Sequence, residues 1–340
     1  MLGNPNKPTF HVVPGETVGE LLSRDLASTI GVVAQCYLDH EAGRTTNPDS
    51  YFLRFPDNPA NRIIALPAAI HGESGVSGIK WISSFPGNIA CGLQRASAVL
   101  ILNDAATGYP IAVLEGARIS AVRTAASTVL GAYWLNRRCK SAGTLAVVGS
   151  GFIARNIIDM FAADGWAFGE VLSHDLDKGS ADRLTTHAEG RFGCPARTAS
   201  LAQALDADLV VFATNAGTPY VPATSRLRPD QILLNISLRD LAPELILQCQ
   251  NVFDDVSHCL KANTSPHLAE QLSGSRDFVT GTIGAVMRGE TALTAEKAVI
   301  YSPFGMGILD LALGLEVLER AIAEGGAVAV PGFFGDVSRW

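Results

Sequence analysis

Apolar positions follow two different patterns along the chain, and the change comes near residue 140. Before it, short apolar runs at 52–55, 62–68, 76–83, 97–103 and 111–115 read as strands. The turn signals Asp57-Asn58-Pro59, Pro86-Gly87-Asn88 and Thr107-Gly108 separate them. This predicts an α+β domain with antiparallel or mixed pairing, left by a helix over 119–135. After it, the basic, polar stretch 136–143 gives way to an apolar run at 144–148, a buried strand. Gly149-Ser150-Gly151-Phe152-Ile153-Ala154 follows at once, and then 155–163, with apolar residues at 157, 158 and 161, suits a helix. Further strands at 170–173, 208–213, 231–236 and 251–255 alternate with helical stretches at 181–188 and 200–205. Alternation of this kind implies a parallel sheet covered on both faces. Residues 307–323 carry a helical apolar stripe, which predicts a helix returning to the first region and makes the second region an insertion within it.

The composition narrows the function. With 47% hydrophobic residues in 340, the chain can fill one large or two ordinary cores. The balance of 26 basic against 33 acidic residues gives a net charge of −7 and argues against a nucleic-acid or anionic-membrane partner, which needs a basic footprint. A small-molecule ligand is expected. The six cysteines form no CxxC pair and are read as reduced thiols. No uncharged apolar run approaches the roughly 18 residues of a membrane span, and residues 1–10 lack the layout of a secretory signal, so a cytoplasmic location is expected. The seven histidines show no HExxH or Cys/His spacing, so no metal site is expected, and the absence of GxSxG and P-loop motifs argues against serine hydrolases and P-loop nucleotide hydrolases.

Gly149-x-Gly151-x-x-Ala154, between strand and helix, is the most informative motif. A pyrophosphate needs close backbone approach, free amides and the positive end of a helix. The cradle comprises Gly149, Ser150, Gly151, Phe152 and Ile153. Asp175, 26 residues past Gly149, stands where an acid accepts hydrogen bonds from an adenosine ribose, which favours NAD. Lys178 is the nearest cation that could answer a 2′-phosphate instead. Thr214 and Asn215 follow a strand and so fall on the carboxyl edge of the sheet, as do Ser237 and Asp240 in Ile236-Ser-Leu-Arg-Asp240. Asp240 suits proton transfer or a helix cap. Met306, in Ser302-Pro-Phe-Gly-Met-Gly307, suits cofactor contact or packing. The fold expected is α/β, a Rossmann-type doubly wound parallel-sheet domain inserted in an α+β domain.

Three cations stand among apolar or small residues: Arg54 in Tyr51-Phe-Leu-Arg-Phe-Pro56, Lys80 in Gly78-Ile-Lys-Trp-Ile-Ser83, and Arg123 in Val122-Arg-Thr-Ala-Ala126. Arginine forks fit carboxylates, and a desolvated lysine exchanges protons near neutral pH. A half-exposed strand with one solvated face would carry the same residues.

Gly78-Ile-Lys-Trp-Ile-Ser-Ser-Phe-Pro-Gly-Asn88, Ala121-Val-Arg-Thr-Ala-Ala-Ser127 and Val148-Gly-Ser-Gly151 resemble the ornithine cyclodeaminase/mu-crystallin family over nearly the whole chain. The resemblance implies that Arg54, Lys80 and Arg123 surround a substrate carboxylate, and that Asp240 is the acid after the late sheet strand. The flanking Ser237-Leu-Arg-Asp240 differs from the glycine-rich loop of the cyclodeaminases. It implies a substrate-binding and dimerisation domain at 1–125, completed by 312–340, and an NAD-binding domain at 126–311, in a homodimer. Phe253-Asp-Asp-Val-Ser-His258, Thr264-Ser-Pro-His-Leu-Ala-Glu270 and Ser302-Pro-Phe-Gly-Met-Gly-Ile-Leu-Asp310 resemble the branch that makes 2,3-diaminopropionate for siderophores and peptide antibiotics. That branch implies NAD-dependent oxidation and hydrolysis of N-[(2S)-2-amino-2-carboxyethyl]-L-glutamate, with Lys80 and Asp240 sharing proton transfer. Other activities in the family remain open: an ornithine cyclodeaminase, an alanine dehydrogenase, a ketimine reductase, or a non-catalytic nucleotide-dependent binding protein like mu-crystallin.

Overall fold

Turn-separated runs rich in Val, Ile and Leu pair with their sequence neighbours because the connecting turns are too short for a crossover. In a computed structural model, which describes residues 8–72 and 75–335, β1 (Phe10–Val13) leads into α1 (Gly15–Arg24) and α2 (Ser28–Glu41). β2 (Thr45–Thr46), β3 (Tyr51–Arg54), β4 (Arg62–Ile70), β5 (Val76–Ser84), β6 (Ala96–Asp104) and β7 (Pro110–Glu115) follow. Pairing from β3 to β7 is antiparallel, and β1 joins β7 in parallel, so the sheet is mixed. The period of two sorts the side chains. Leu66, Ala68, Lys80, Leu100 and Leu102 are buried on one face, while Tyr51, Trp81 and Val99 are exposed on the other.

Helix α3 (Ala117–Leu135) carries the chain into a second compact unit, residues 124–305, and the first unit comprises residues 1–123 and 306–340. In the second unit β8 (Ser141–Val148), α4 (Phe152–Ala163), β9 (Ala167–His174), α5 (Lys178–Phe192), β10 (Ala196–Thr198), α6 (Leu201–Leu205) and β11 (Leu209–Phe212) alternate. They continue as β12 (Ile232–Asn235), α7 (Pro243–Gln248), β13 (Gln250–Phe253), α8 (Val256–Cys259), α9 (Ser265–Ser273), β14 (Val279–Thr282), α10 (Ile283–Met287) and β15 (Val299–Ser302). Among the described residues the strand order is β10-β9-β8-β11-β12-β15-β13-β14, parallel throughout. β11, β12, β13 and β15 are buried at every position, as strands covered on both faces must be. The order reverses between β8 and β11, which makes the crevice at their carboxyl ends the binding position of such a sheet.

The chain then returns to the first unit as α11 (Gly307–Ala323) and β16 (Val328–Val330), the latter antiparallel to β1. The apolar stripe of α11 lies on the buried face of the first sheet. Leu311 packs on Gly78, where any Cβ would sit 2.1 Å from the Ile101 carbonyl oxygen. Among the described residues no helix is long and apolar enough to cross a membrane.

Candidate active site

The glycine turn of the second unit is built by necessity at two points. Gly149 has φ +91°, and a Cβ there would lie 2.6 Å from the Ala213 carbonyl oxygen, so no other residue lets the ends of β8 and β11 come this close. Gly151 has open space where its Cβ would be, and as N-cap of α4 it leaves that helix without a side-chain cap. The first amides of α4, belonging to Phe152 and Ile153, therefore retain the donor capacity and partial positive charge of a helix start.

Asp175 stands just past β9. Its Oδ2 accepts a 2.6 Å hydrogen bond from the Ser150 amide and its Oδ1 accepts one from Asp177, so the acid is held against the turn itself. Ser150 and Ser173 share a hydroxyl hydrogen bond of 2.9 Å. A close-approach glycine, an open helix start and a carboxylate after the second strand fit the pyrophosphate and ribose of a dinucleotide. Lys178 is exposed in the first turn of α5.

On the carboxyl edge of the same sheet, Asp240 is fully buried and gathers three hydroxyls. Thr214 donates at 2.5 Å, Tyr220 at 2.9 Å, and Ser237 completes the set. The carboxylate thus ties the loop after β11 to the loop after β12, where Leu238 is held at φ +68°. Burial and the Asp240 charge push the Tyr220 phenol far up, so it stays a donor. Asn215 is exposed beside Thr214. Sequence reasoning offered Asp240 as a proton carrier. Its carboxylate oxygens are engaged by hydroxyls of this chain, which is the geometry of a residue that positions the loops. Tyr220 carried no recognisable signal. The turn after β15 is held by the buried Asp254, which accepts from the Phe304 and Gly305 amides at 2.9 and 2.7 Å. Met306 is buried as the N-cap residue of α11, in the first unit.

In the first unit, Lys80 projects from the middle of β5 onto the buried face, only 2% exposed. Its Nζ donates to Asp310 Oδ2 at 2.7 Å and to Ser120 Oγ at 3.1 Å. Arg123, one turn beyond Ser120 on α3, donates through Nε to Asp310 Oδ1 and through Nη2 to Ser120 Oγ, both at 3.3 Å. Among the described residues one carboxylate therefore answers two buried cations, and the cluster carries a net positive charge of one whenever Lys80 is protonated. Burial first, and Arg123 second, lower the Lys80 ammonium from its ordinary value to about 8 against the opposing pull of Asp310. A fixed guanidinium beside a titratable amine suits binding a carboxylate and exchanging a proton next to it. Asp310 was missed as a site residue, although an acid inside the apolar stripe of residues 307–323 is the signal that would have found it.

The structure brings Lys80 and Arg123 together but not Arg54 with them. Arg54 is exposed at the end of β3, its guanidinium carbon 5.3 Å from the centre of the Phe52 ring, directly across from Arg62 of β4.

A parallel sheet that reverses its order above a glycine turn is a Rossmann-type dinucleotide fold. The chain belongs to the ornithine cyclodeaminase/mu-crystallin family, whose sequence pattern matches residues 15–325. It is 30% identical over 290 residues to the N-((2S)-2-amino-2-carboxyethyl)-L-glutamate dehydrogenase of Staphylococcus aureus, covering 80% of this chain and 83% of that one. It also superposes on the Thermococcus litoralis Δ1-pyrroline-2-carboxylate reductase in complex with NADH and L-proline, with TM-score 0.85, 19% identity and coverage of 94% of this chain and 100% of that one. An archaeal alanine dehydrogenase dimer with bound NAD gives TM-score 0.85 at 24% identity, covering 96% and 100%.

Proposed function

We propose that the protein is an NAD-dependent oxidoreductase acting on the CH–NH bond of a secondary amino acid, N-[(2S)-2-amino-2-carboxyethyl]-L-glutamate. Its products are 2-oxoglutarate and L-2,3-diaminopropionate, a building block for siderophores or peptide natural products. The observation that carries this reading is the buried cluster in which, among the described residues, Asp310 is the carboxylate paired with both Lys80 and Arg123, so that a substrate carboxylate meets the Arg123 guanidinium beside an amine able to take a proton. The 30% identity to the Staphylococcus aureus dehydrogenase supports the choice of substrate.

Arg123, always charged, holds the substrate carboxylate. Lys80, titrating at about 8, takes the proton from the substrate amine, since only a neutral nitrogen can form the imine. Asp310 fixes the Lys80 Nζ and limits the charge of the cluster. NAD, held by residues 149–153 and Asp175, supplies the hydride acceptor when bound. Water then adds to the imine carbon, and the carbon–nitrogen bond breaks to release the keto acid and the primary amine. Thr214, Asn215 and Ser237 lie on the cofactor's edge of the sheet, two of them fixed by Asp240.

The protein works as a homodimer formed through the outer face of the first sheet, where Tyr51, Leu53, Trp81 and Val99 are exposed at 72%, 47%, 41% and 41%. Its six cysteines are free, in keeping with the reducing cytoplasm.

Mass spectrometry of the products formed from NAD and the aminocarboxyethyl-glutamate tests the reading. Release of 2-oxoglutarate with diaminopropionate is expected. Inertness toward this substrate, combined with production of pyruvate from alanine or proline from ornithine, overturns it.

A further inference from the structure

Three arginines come together on the first sheet, and no described carboxylate pairs with any of them. Arg54 and Arg62 are directly opposite across β3 and β4, and Arg62 is directly opposite Ser84 of β5. Arg95, from the segment leading into β6, donates to Ser84 Oγ at 2.6 Å. Directly opposed like charges destabilise a sheet. Here Arg62 and Arg95 are also half-buried, and each feels the next in the row: burial and Arg54 lower Arg62, and burial and Arg62 lower Arg95. Among the described residues none of the three forms an ion pair. Side-chain alternation puts Arg54, Arg62, Ser84 and Lys80 on one face of the sheet, with Ser84 four residues, about 13 Å, along β5 from Lys80. The start of α11 packs on Leu66, which is directly opposite Lys80, and on Ala68 and Gly78, which lie beyond Lys80 from this row.

We propose that Arg62 and Arg95, with Arg54 at the rim, form a second anion site that takes a further carboxylate of the substrate, and that this row selects polycarboxylate amino acids over monocarboxylates. The inference rests on the function proposed above for the identity of the substrate, while the anion site itself stands on its own geometry. A bound carboxylate turns an unfavourable cluster of like charges into a set of charge-assisted hydrogen bonds. The arginine row stands at the Ser84 end of this face and Lys80 at the middle of the same strand, so a ligand with two carboxylates can be met at two places along the face. Alanine, ornithine and pyrroline-2-carboxylate, each with one carboxylate, leave the row unanswered.

Two measurements on the full chain test this. In the first, glutarate binding is followed by calorimetry at low salt for the protein and for Arg62→Gln, Arg95→Gln and the double variant. Each single change is expected to weaken glutarate at least 10-fold, with melting temperature unchanged or raised because repulsion is relieved. Glutarate binding that is equal in all four proteins overturns the site whatever the enzyme turns over. In the second, KM is compared for the aminocarboxyethyl-glutamate and for its analogue with 2-aminobutyrate in place of glutamate. Arg62→Gln is expected to raise KM for the first by 10-fold or more and leave the second unchanged, with NAD affinity intact. An equal rise for both substrates overturns the selective role. If the unaltered protein binds glutarate through the arginines yet turns over neither substrate, the proposed reaction fails and the anion site stands.

Discussion

Lys80 and Asp310 are 230 residues apart in the sequence and 2.7 Å apart in the fold, at a point where neither side chain reaches solvent. Removing one partner of such a buried pair leaves the other charge unanswered. Asp310→Asn leaves two buried cations with no carboxylate, and a loss of about 3–5 kcal/mol in unfolding free energy is expected from denaturant titration. Adding Lys80→Met to Asp310→Asn recovers part of that loss. No recovery in the double variant refutes the coupling.

The lowered Lys80 value sets the direction of the pH dependence. An amine titrating at about 8 is about 10% neutral at pH 7, against well under 0.1% for an ordinary lysine. Turnover at saturating NAD is expected to rise with pH up to about 8 and level off above it. Lys80→Arg, which cannot lose its proton, abolishes this limb along with most of the activity. A limb that survives in Lys80→Arg assigns the titration to another group. Stability follows the same sign. Below pH 8 the folded protein bears the cost of a buried ammonium, and that cost is relieved as pH rises from about 8 toward 10.5.

Asp240 accepts from Thr214, Tyr220 and Ser237, so its amide analogue loses an acceptor and disturbs both loops. Asp240→Asn is expected to weaken NAD roughly 10-fold, a cost of the size of one hydrogen bond to a charged group. Most of kcat is retained at saturating NAD. A collapse of kcat with NAD affinity intact makes Asp240 a proton carrier after all.

Gly149→Ala places a methyl 2.6 Å from the Ala213 carbonyl oxygen at a φ of +91°. Loss of NAD binding with a destabilisation of about 1–3 kcal/mol is expected. Gly151→Ala, with open space around it, keeps the fold and is read by its effect on NAD affinity alone.

Trp81 lies across from Val99 on the outer face of the first sheet. If the protein forms the dimer proposed above, Trp81→Glu is expected to leave it monomeric in light scattering. A monomeric unaltered protein, or a variant that still dimerises, excludes this face as the interface.

The sequence made the strands from residue 52 to 115 legible because short polar turns bounded them, and the 307–323 helix because its apolar stripe is continuous. The first forty residues were not read. β1 is only four residues long, α1 only ten, and α2 spreads its apolar residues around the helix rather than along one stripe. β15 is four residues, all buried, and its final Ser302 opens a Pro/Gly-containing segment, so the run is too short to stand out as a strand. In the site, Lys80 and Arg123 were legible as charges out of place among apolar neighbours. Their gathering around Asp310, and the separation of Arg54 from them, depend on strand register and on a helix that arrives from the end of the chain. Local pattern cannot carry that information.

The residue that balances the buried cations is made late. Asp310 follows Arg123 by 187 positions, so a ribosome adding about 5–20 residues per second reaches it some 10–40 s afterwards. Throughout that interval Lys80 of the sheet and Arg123 of α3 lack the carboxylate that pairs with both in the finished fold. Completion of the first unit must therefore wait for the last helix, and a chain stopped at residue 305 should remain a client of chaperones.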